Sequence, residues 1–291
     1  MVDVVLPWVD GTDPDWQRVR DQFLEGASNN ELRMASTGEP TFEVALALEL
    51  ALKHMPFIRR LYIVTFRPQQ PPLDHLPPGL RQKVHVVHHD QFIPAEELPA
   101  FNSTAIEKHF HFIPGLAEHF IIVHDDNYVL KPTTVTDFFD PLPVLRSDVP
   151  VSNLLAFLQP HVPLQGMYHN ALRHTERTLF EKKRRRFYVR NHAPCPVTKT
   201  LLADVVERYG DRMPVHKFRQ AKDIFSINMA LNFGLYKGQV MLRDESECRC
   251  HALPQSVPAN TRFLCINALD HGNPQHRQRL LAILQTATAV P

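Results

Sequence analysis

The first apolar run, Asp3 to Val9 (DVVLPWV), has the length of a buried strand and ends in the turn cluster Asp10-Gly11-Thr12-Asp13-Pro14. A loop is expected from Asp10. Thr41 to His54 (TFEVALALELALKH) is too long for a strand and rich in helix formers. It sets Ala45, Leu48, Leu52 and Met55 on one face, and Pro56 stops it. Arg60 to Phe66 (RLYIVTF) predicts a second strand, and the prolines from Pro68 to Pro78 a stiff connector. Lys83 to His88 predicts a third strand, Asn102 to Phe112 a helix capped by Asn102 or Ser103, and His119 to His124 a fourth strand.

Strands therefore alternate with helices, the order of an α/β fold with a mainly parallel sheet, whose ligands collect beyond the carboxyl ends of the strands. Asp10 and the pair Asp125-Asp126 both fall at such ends. Beyond residue 150 the pattern predicts helices near Gln165 to Phe180, Thr198 to Arg208, Asp223 to Leu235 and Pro274 to Gln285. The expected organisation is an α/β part over 1–150 and a mostly helical part over 151–291, joined in one integrated domain.

Composition narrows the class. The chain has 291 residues, 44% apolar and 22% charged, and its 32 basic against 31 acidic residues leave a net charge of +1. That balance argues against a surface built for nucleic acid, although Lys182 to Arg186 forms a local basic patch suited to anionic lipid or glycan. No run approaches the roughly 18 apolar residues of a membrane span. The strand at the start predicts no secretory leader, and four scattered cysteines predict no disulfide framework. The expectation is a cytoplasmic protein with at most peripheral contact to the inner membrane face.

Several residues could carry chemistry. Asp125-Asp126, in FIIVHDDNYVL, suits Mg²⁺ or Mn²⁺ with diphosphate oxygens completing the shell, and equally suits a solvated turn. Asp10, beside Gly11, can orient a hydroxyl or join the metal, with Trp8 beneath a base or sugar ring; Asp-Gly is also a plain turn signal and Trp8 a plain core residue. Asn102-Ser103 offers a helix start to phosphate, or simply a cap. His192, in RNHAPCP between constraining prolines, can act as general acid or base. Arg219 can neutralise phosphate with Asp223 orienting it, or the two can pair at a helix end. Cys248-x-Cys250-His251 lacks the second ligand pair of a convincing zinc site.

Taken in order, these segments resemble the Stealth family of hexose-1-phosphate transferases, which includes bacterial capsule polymerases. The resemblance is carried by DVVLPWVDGTDPDW at Asp3 to Trp16, by HMPFIRRLYIVTF and the FNS and HDD elements between Thr41 and Leu130, by H-x-P at His192 to Pro194 with R-x-x-x-D at Arg219 to Asp223, and by FLCINALDH at Phe263 to His271. It implies a Rossmann-like, glycosyltransferase-A-like fold. It also implies transfer of a hexose 1-phosphate from a UDP-sugar to a glycan hydroxyl, with release of UMP and help from Mg²⁺ or Mn²⁺. Carried over by position, Asp10, Asp126, His192 and Arg219 become catalytic residues and Asp125 and Asp126 metal ligands. Trp8, Gly11, Asn102, Ser103, Asp223 and Asn267 become substrate contacts. This chain departs from the family at His124, where an asparagine is usual, at Ala268, and in the helix 41–54, which lacks the family's arginines; Asn30 to Arg33 is the candidate substitute. Two other readings stay open: a metal-dependent glycosyltransferase that releases UDP, and a degenerate relative that binds without turnover.

Overall fold

Val2–Pro7 (β1) is buried along almost its whole length, as a strand covered on both faces must be. In the computed structural model, which describes residues 1–24, 41–147, 166–181, 185–243, 248–251, 253–266 and 273–289, β1 is the middle strand of the main sheet. It pairs in parallel with Ile58–Thr65 (β2) on one side and with His119–Ile122 (β4) on the other. Val84–His88 (β3) extends the sheet beyond β2 in parallel, and Cys195–Thr198 (β7) closes the other edge antiparallel to β4. The order is β3-β2-β1-β4-β7. The chain thus steps outward from β1 to β3 and then returns to the opposite side of β1 for β4. Strand order reverses between β1 and β4, and the crevice at their carboxyl ends is the position where α/β sheets hold ligands.

Side chains alternate across this sheet. Val4, Leu6, Ile121 and Val123 face one layer, while Val5, Phe120 and Ile122 face the other. The first layer is Thr41–His54 (α2), whose Val44, Leu48, Ala51 and Leu52 pack on the sheet. The second is built from Met167–Phe180 (α5), Lys199–Tyr209 (α6) and Ser226–Lys237 (α7). Of the shorter helices, Pro14–Asp21 (α1) follows β1, Pro78–Arg81 (α3) precedes β3, and Ser103–Glu107 (α4) lies between β3 and β4. The mainly parallel α/β expectation holds.

The departures have local causes. The loop after Asp10 contains α1, because Asp13 accepts from the amides of Asp15 and Trp16 and Pro14 sits at the first helical position. The α2 bounds agree with the prediction, but its apolar surface is wider than one stripe. Ala47 and Leu50 face away from the sheet, toward Tyr128, Leu264 and Leu280. There Asn127–Val129 (β5), Cys248–His251 (β9) and Phe263–Ile266 (β10) form a small second sheet, covered by Pro274–Ala289 (α8). Beyond residue 150 the chain is not only helical: it supplies β7 to the main sheet, β9 and β10 to the second, and Met241–Arg243 (β8) to a pair with Val144–Arg146 (β6). These strands are three or four residues long, too short for periodicity to show.

Candidate active site

Asp3 sits at the amino end of β1, remote from the crevice. It is fully buried and accepts from Arg59 at 2.6 Å and from the amides of Arg60 and Ala117. That acid ties strand starts together. The candidate site lies at the other end.

There, Asp10 Oδ1 accepts from the amide and hydroxyl of Thr12, at 2.8 and 2.6 Å, and its backbone is gripped by Gln69, which accepts from its N–H and donates to its carbonyl. Gly11 is buried beside it, with its carbonyl accepting from Gln17. Trp8 is a core residue, 5% exposed among Leu6, Leu48 and Val123, and its indole N–H has no partner among the described residues. It does not lie open to a base or sugar ring.

Asp125 and Asp126 occupy the turn between β4 and β5. Asp126 is held on three sides: Asn127 Nδ2 donates to Oδ1 at 2.8 Å, the Cys265 thiol donates to Oδ2 at 3.3 Å, and the amide of Ile266 donates to its carbonyl at 3.1 Å. His192 arrives because β7 runs antiparallel to β4, with Cys195 opposite Ile122, so the residues before β7 pass those after β4. One donor atom each from Asp126, His192 and Cys265 lies within 4.8 Å of the other two.

The site has an acidic wall and a basic wall. Burial, then the neighbouring Asp126, pushes the Asp125 carboxyl up to about 7. Burial followed by Asp125 and Asp126 pushes Glu43, which accepts a long hydrogen bond from Tyr128, up to about 8. Asp126 is also raised by burial. Facing them, Arg190 donates to His124 Nε2 at 3.4 Å and lies 3.8 Å from the buried Glu107. Partial desolvation of its ring by the surrounding protein lowers His192 below the ordinary imidazole range, and the charges of Arg190 and Arg219 add to this against the pull of Asp126. His192 is exposed at the mouth, and its ring makes no hydrogen bond among the described residues. Arg219 is exposed as well, donating to Ser103 Oγ at 2.8 Å.

Asn102 and Asp223 play a different part. Both are buried, at 0% and 2% exposure, and their polar atoms are used internally. Asn102 caps α4 and donates to Asp223 at 2.9 Å, while Asp223 also accepts from His216 and from the amide of Gln220. Asp223 therefore fixes the loop that carries Arg219 without bonding to the guanidinium. Asn267 and Ala268, Asn30 to Arg33, Lys182 to Arg184, and the side chains of Cys248, Cys250 and His251 lie outside the described residues. Sequence reasoning passed over Glu43, Glu107, Arg190 and Cys265. Arg190 had a signal: a charged residue within RNHAPCP, two positions before His192.

These features define a class: an α/β protein with a cluster of acidic, basic and thiol side chains at the reversal point of its sheet. Residues 2–27 match Stealth protein conserved region 1 and residues 39–145 match conserved region 2. Over these two regions the chain is similar to the Stealth family. The chain is 37% identical over 142 residues to the capsular polysaccharide phosphotransferase LcbA of Aeromonas hydrophila, an alignment covering 47% of this chain and 38% of that protein. It is 34% identical over 143 residues to the capsular polysaccharide phosphotransferase of Neisseria meningitidis serogroup B, covering 48% and 38%. With eps5J of Streptococcus thermophilus the identity is 32% over 146 residues, covering 47% and 57%. The match thus spans well under half the length of the first two relatives. In shape the chain is similar to the crystal structure of galactosyltransferase LgtC with donor and acceptor sugar analogues, at 12% identity and a TM-score of 0.47 over 99% of this chain and 97% of that one. No helix among the described residues is long and apolar enough to cross a membrane.

Proposed function

We propose that this protein transfers a hexose 1-phosphate, of the N-acetylhexosamine class, from a UDP-sugar to a glycan hydroxyl and releases UMP, in the synthesis of a capsular or other cell-surface polysaccharide. One observation carries the proposal: at the strand-order reversal, the half-buried Asp126, next to Asp125, lies within electrostatic reach of His192 and Arg190, and His192 in turn within reach of Arg219. A dication with phosphates on one side and a phosphoryl group met by arginine on the other need such a pairing of walls. The phosphotransferase names of the relatives support the same reaction type.

Asp125 and Asp126 fit Mg²⁺ or Mn²⁺, since both are oxygen donors whose crowding makes ionisation costly until a cation neutralises it. Bound there, the ion would neutralise charge on the diphosphate oxygens. The acceptor oxygen attacks the phosphorus next to the sugar. Its bond to phosphorus forms as the bond from that phosphorus to the bridging oxygen breaks, and UMP leaves with the electron pair. The sugar–oxygen bond is untouched, so anomeric configuration is kept. Arg219 meets the transferring phosphate from its anchored loop. Of Asp10, Asp126 and His192, only His192 has no side-chain hydrogen bond among the described residues, so we assign it the acceptor proton.

Mass spectrometry of the nucleotide released from a panel of UDP-sugars, with Mg²⁺ and short glycan acceptors, tests this. UMP, lost in Asp125→Ala and Asp126→Ala, is the expected product. UDP would show attack at the sugar carbon, and donor binding without release would show a non-catalytic relative; either sinks the proposal.

A further inference from the structure

Asp126, His192 and Cys265 reach one point from three separate stretches: the β4–β5 turn, the segment before β7, and β10. Their donor atoms lie within 4.8 Å of one another and comprise a carboxylate oxygen, an imidazole nitrogen and a sulfur. Mg²⁺ is held through oxygen, whereas a thiolate selects a borderline ion such as Zn²⁺ or Co²⁺. The trio is also braced from behind. Asn127 Nδ2 fixes one oxygen of Asp126, the Ile266 amide ties β10 to the turn, and Cys265 is fully buried, in no disulfide, with its S–H already directed at Asp126 Oδ2. Such outer contacts orient ligands before the ion arrives. His192 stands on the solvent side of the trio, and three protein ligands are the number that open zinc sites use.

We infer that Asp126, His192 and Cys265 form a thiolate-containing site for a Zn²⁺-class ion, different in ligand chemistry from the Asp125–Asp126 pair and competing with it for Asp126. On binding, Cys265 releases its thiol proton to solvent, and a metal–sulfur bond replaces the S–H contact with Asp126. The ion takes the lone pair of His192 and the carboxylate of Asp126. On the transfer reading, on which this consequence rests, thiophilic metals therefore arrest the reaction that Mg²⁺ supports.

The test is titration of metal-stripped, full-chain protein with Co²⁺, followed by absorption. The expected result is a thiolate-to-cobalt charge-transfer band that saturates with one equivalent, is displaced by Zn²⁺ and survives a large excess of Mg²⁺. His192→Ala should weaken Co²⁺ binding about tenfold or more, and Cys265→Ser should abolish the band with an unchanged circular dichroism spectrum. Should Cys265→Ser fail to fold, X-ray absorption at the zinc edge of the wild-type protein decides. One sulfur at about 2.3 Å together with imidazole supports the site; no sulfur, or two, overturns it. Absence of the charge-transfer band, its persistence in Cys265→Ser, or its loss to Mg²⁺ also overturns it. Nucleotide release with Mg²⁺ on zinc-free protein is scored separately, so failure of transfer and failure of this site are distinct results.

Discussion

Replacing Asp125 with asparagine removes a charge from a place where the fold resists one. Its proton is held from an ordinary 3.8 up to about 7, first by burial and then by Asp126. Between about pH 4 and 7 the folded protein keeps a proton that the unfolded chain has already lost, so raising pH through this window lowers stability. Glu43 extends the decline toward pH 8, where its own carboxyl ionises at about 8. Ionised Asp125 costs at most about 4 kcal/mol relative to its protonated form. Asparagine cannot ionise, and it removes one cause of the upward shift of Glu43. The advantage of Asp125→Asn over wild type should therefore grow by about 3 kcal/mol between about pH 5 and pH 8. Urea denaturation at a series of pH values, without divalent cation, measures it. Added Mg²⁺ should flatten the wild-type decline and leave the variant unmoved, while transfer activity is lost in the variant. A wild-type stability that is level or rising across the window, or a variant offset by the same amount at every pH, would refute the reasoning.

Other perturbations separate chemistry from scaffolding. Arg219→Ala should change stability by no more than about 0.5 kcal/mol, since the side chain is exposed and its hydrogen bond is to Ser103. Its turnover should fall about 100-fold, and nucleotide release within a few-fold of wild type would exclude Arg219 from the reaction. Asp223→Ala strips the acceptor from Asn102, His216 and Gln220. It should cost about 3 kcal/mol in denaturant unfolding and lower kcat through the Arg219 loop; a change below about 1 kcal/mol would contradict the anchor. The wild-type pH profile of kcat/KM should fall on the acid side below the ordinary imidazole value of about 6.5, because partial desolvation lowers His192 and the neutral ring is the active form. His192→Gln should remove that limb together with most of the activity, and an unchanged profile would rule out the assignment.

How much of this was legible in the chain depended on where each residue draws its stability. β1 and β4 are covered on both faces, so apolar runs announced them, while the length and helix formers of α2 let its bounds be read to the residue. β7 and β10 are four residues each and exist because a partner strand is present, which no local pattern reveals. With them went Cys265, whose contact with Asp126 spans 139 residues. The spacing of Arg219 and Asp223 left open a phosphate-handling pair or an ion pair at a helix end, but the shared turn aims the acid inward to Asn102 and the arginine outward to Ser103. The position of Asp125 and Asp126 just past a strand was legible because a strand end is visible in sequence. The basic wall was not, since Arg190 gains its role from the position of β7.

β7 also acts as a guard strip. Without it, Phe120, Ile121 and Ile122 of β4 would form an apolar margin with a row of unpaired amides and carbonyls, ready to recruit the same strand of another copy. β7 covers that margin, and Pro196, opposite Ile121 on the sheet's outermost strand, withholds one of the donors a further strand would need. A fragment cut near residue 147 would keep the apolar strands and lose the cover. It should come out of expression as sheet-rich aggregate while the full chain stays dispersed, so the second half of the chain is a built-in solubility device as well as a supplier of side chains to the crevice.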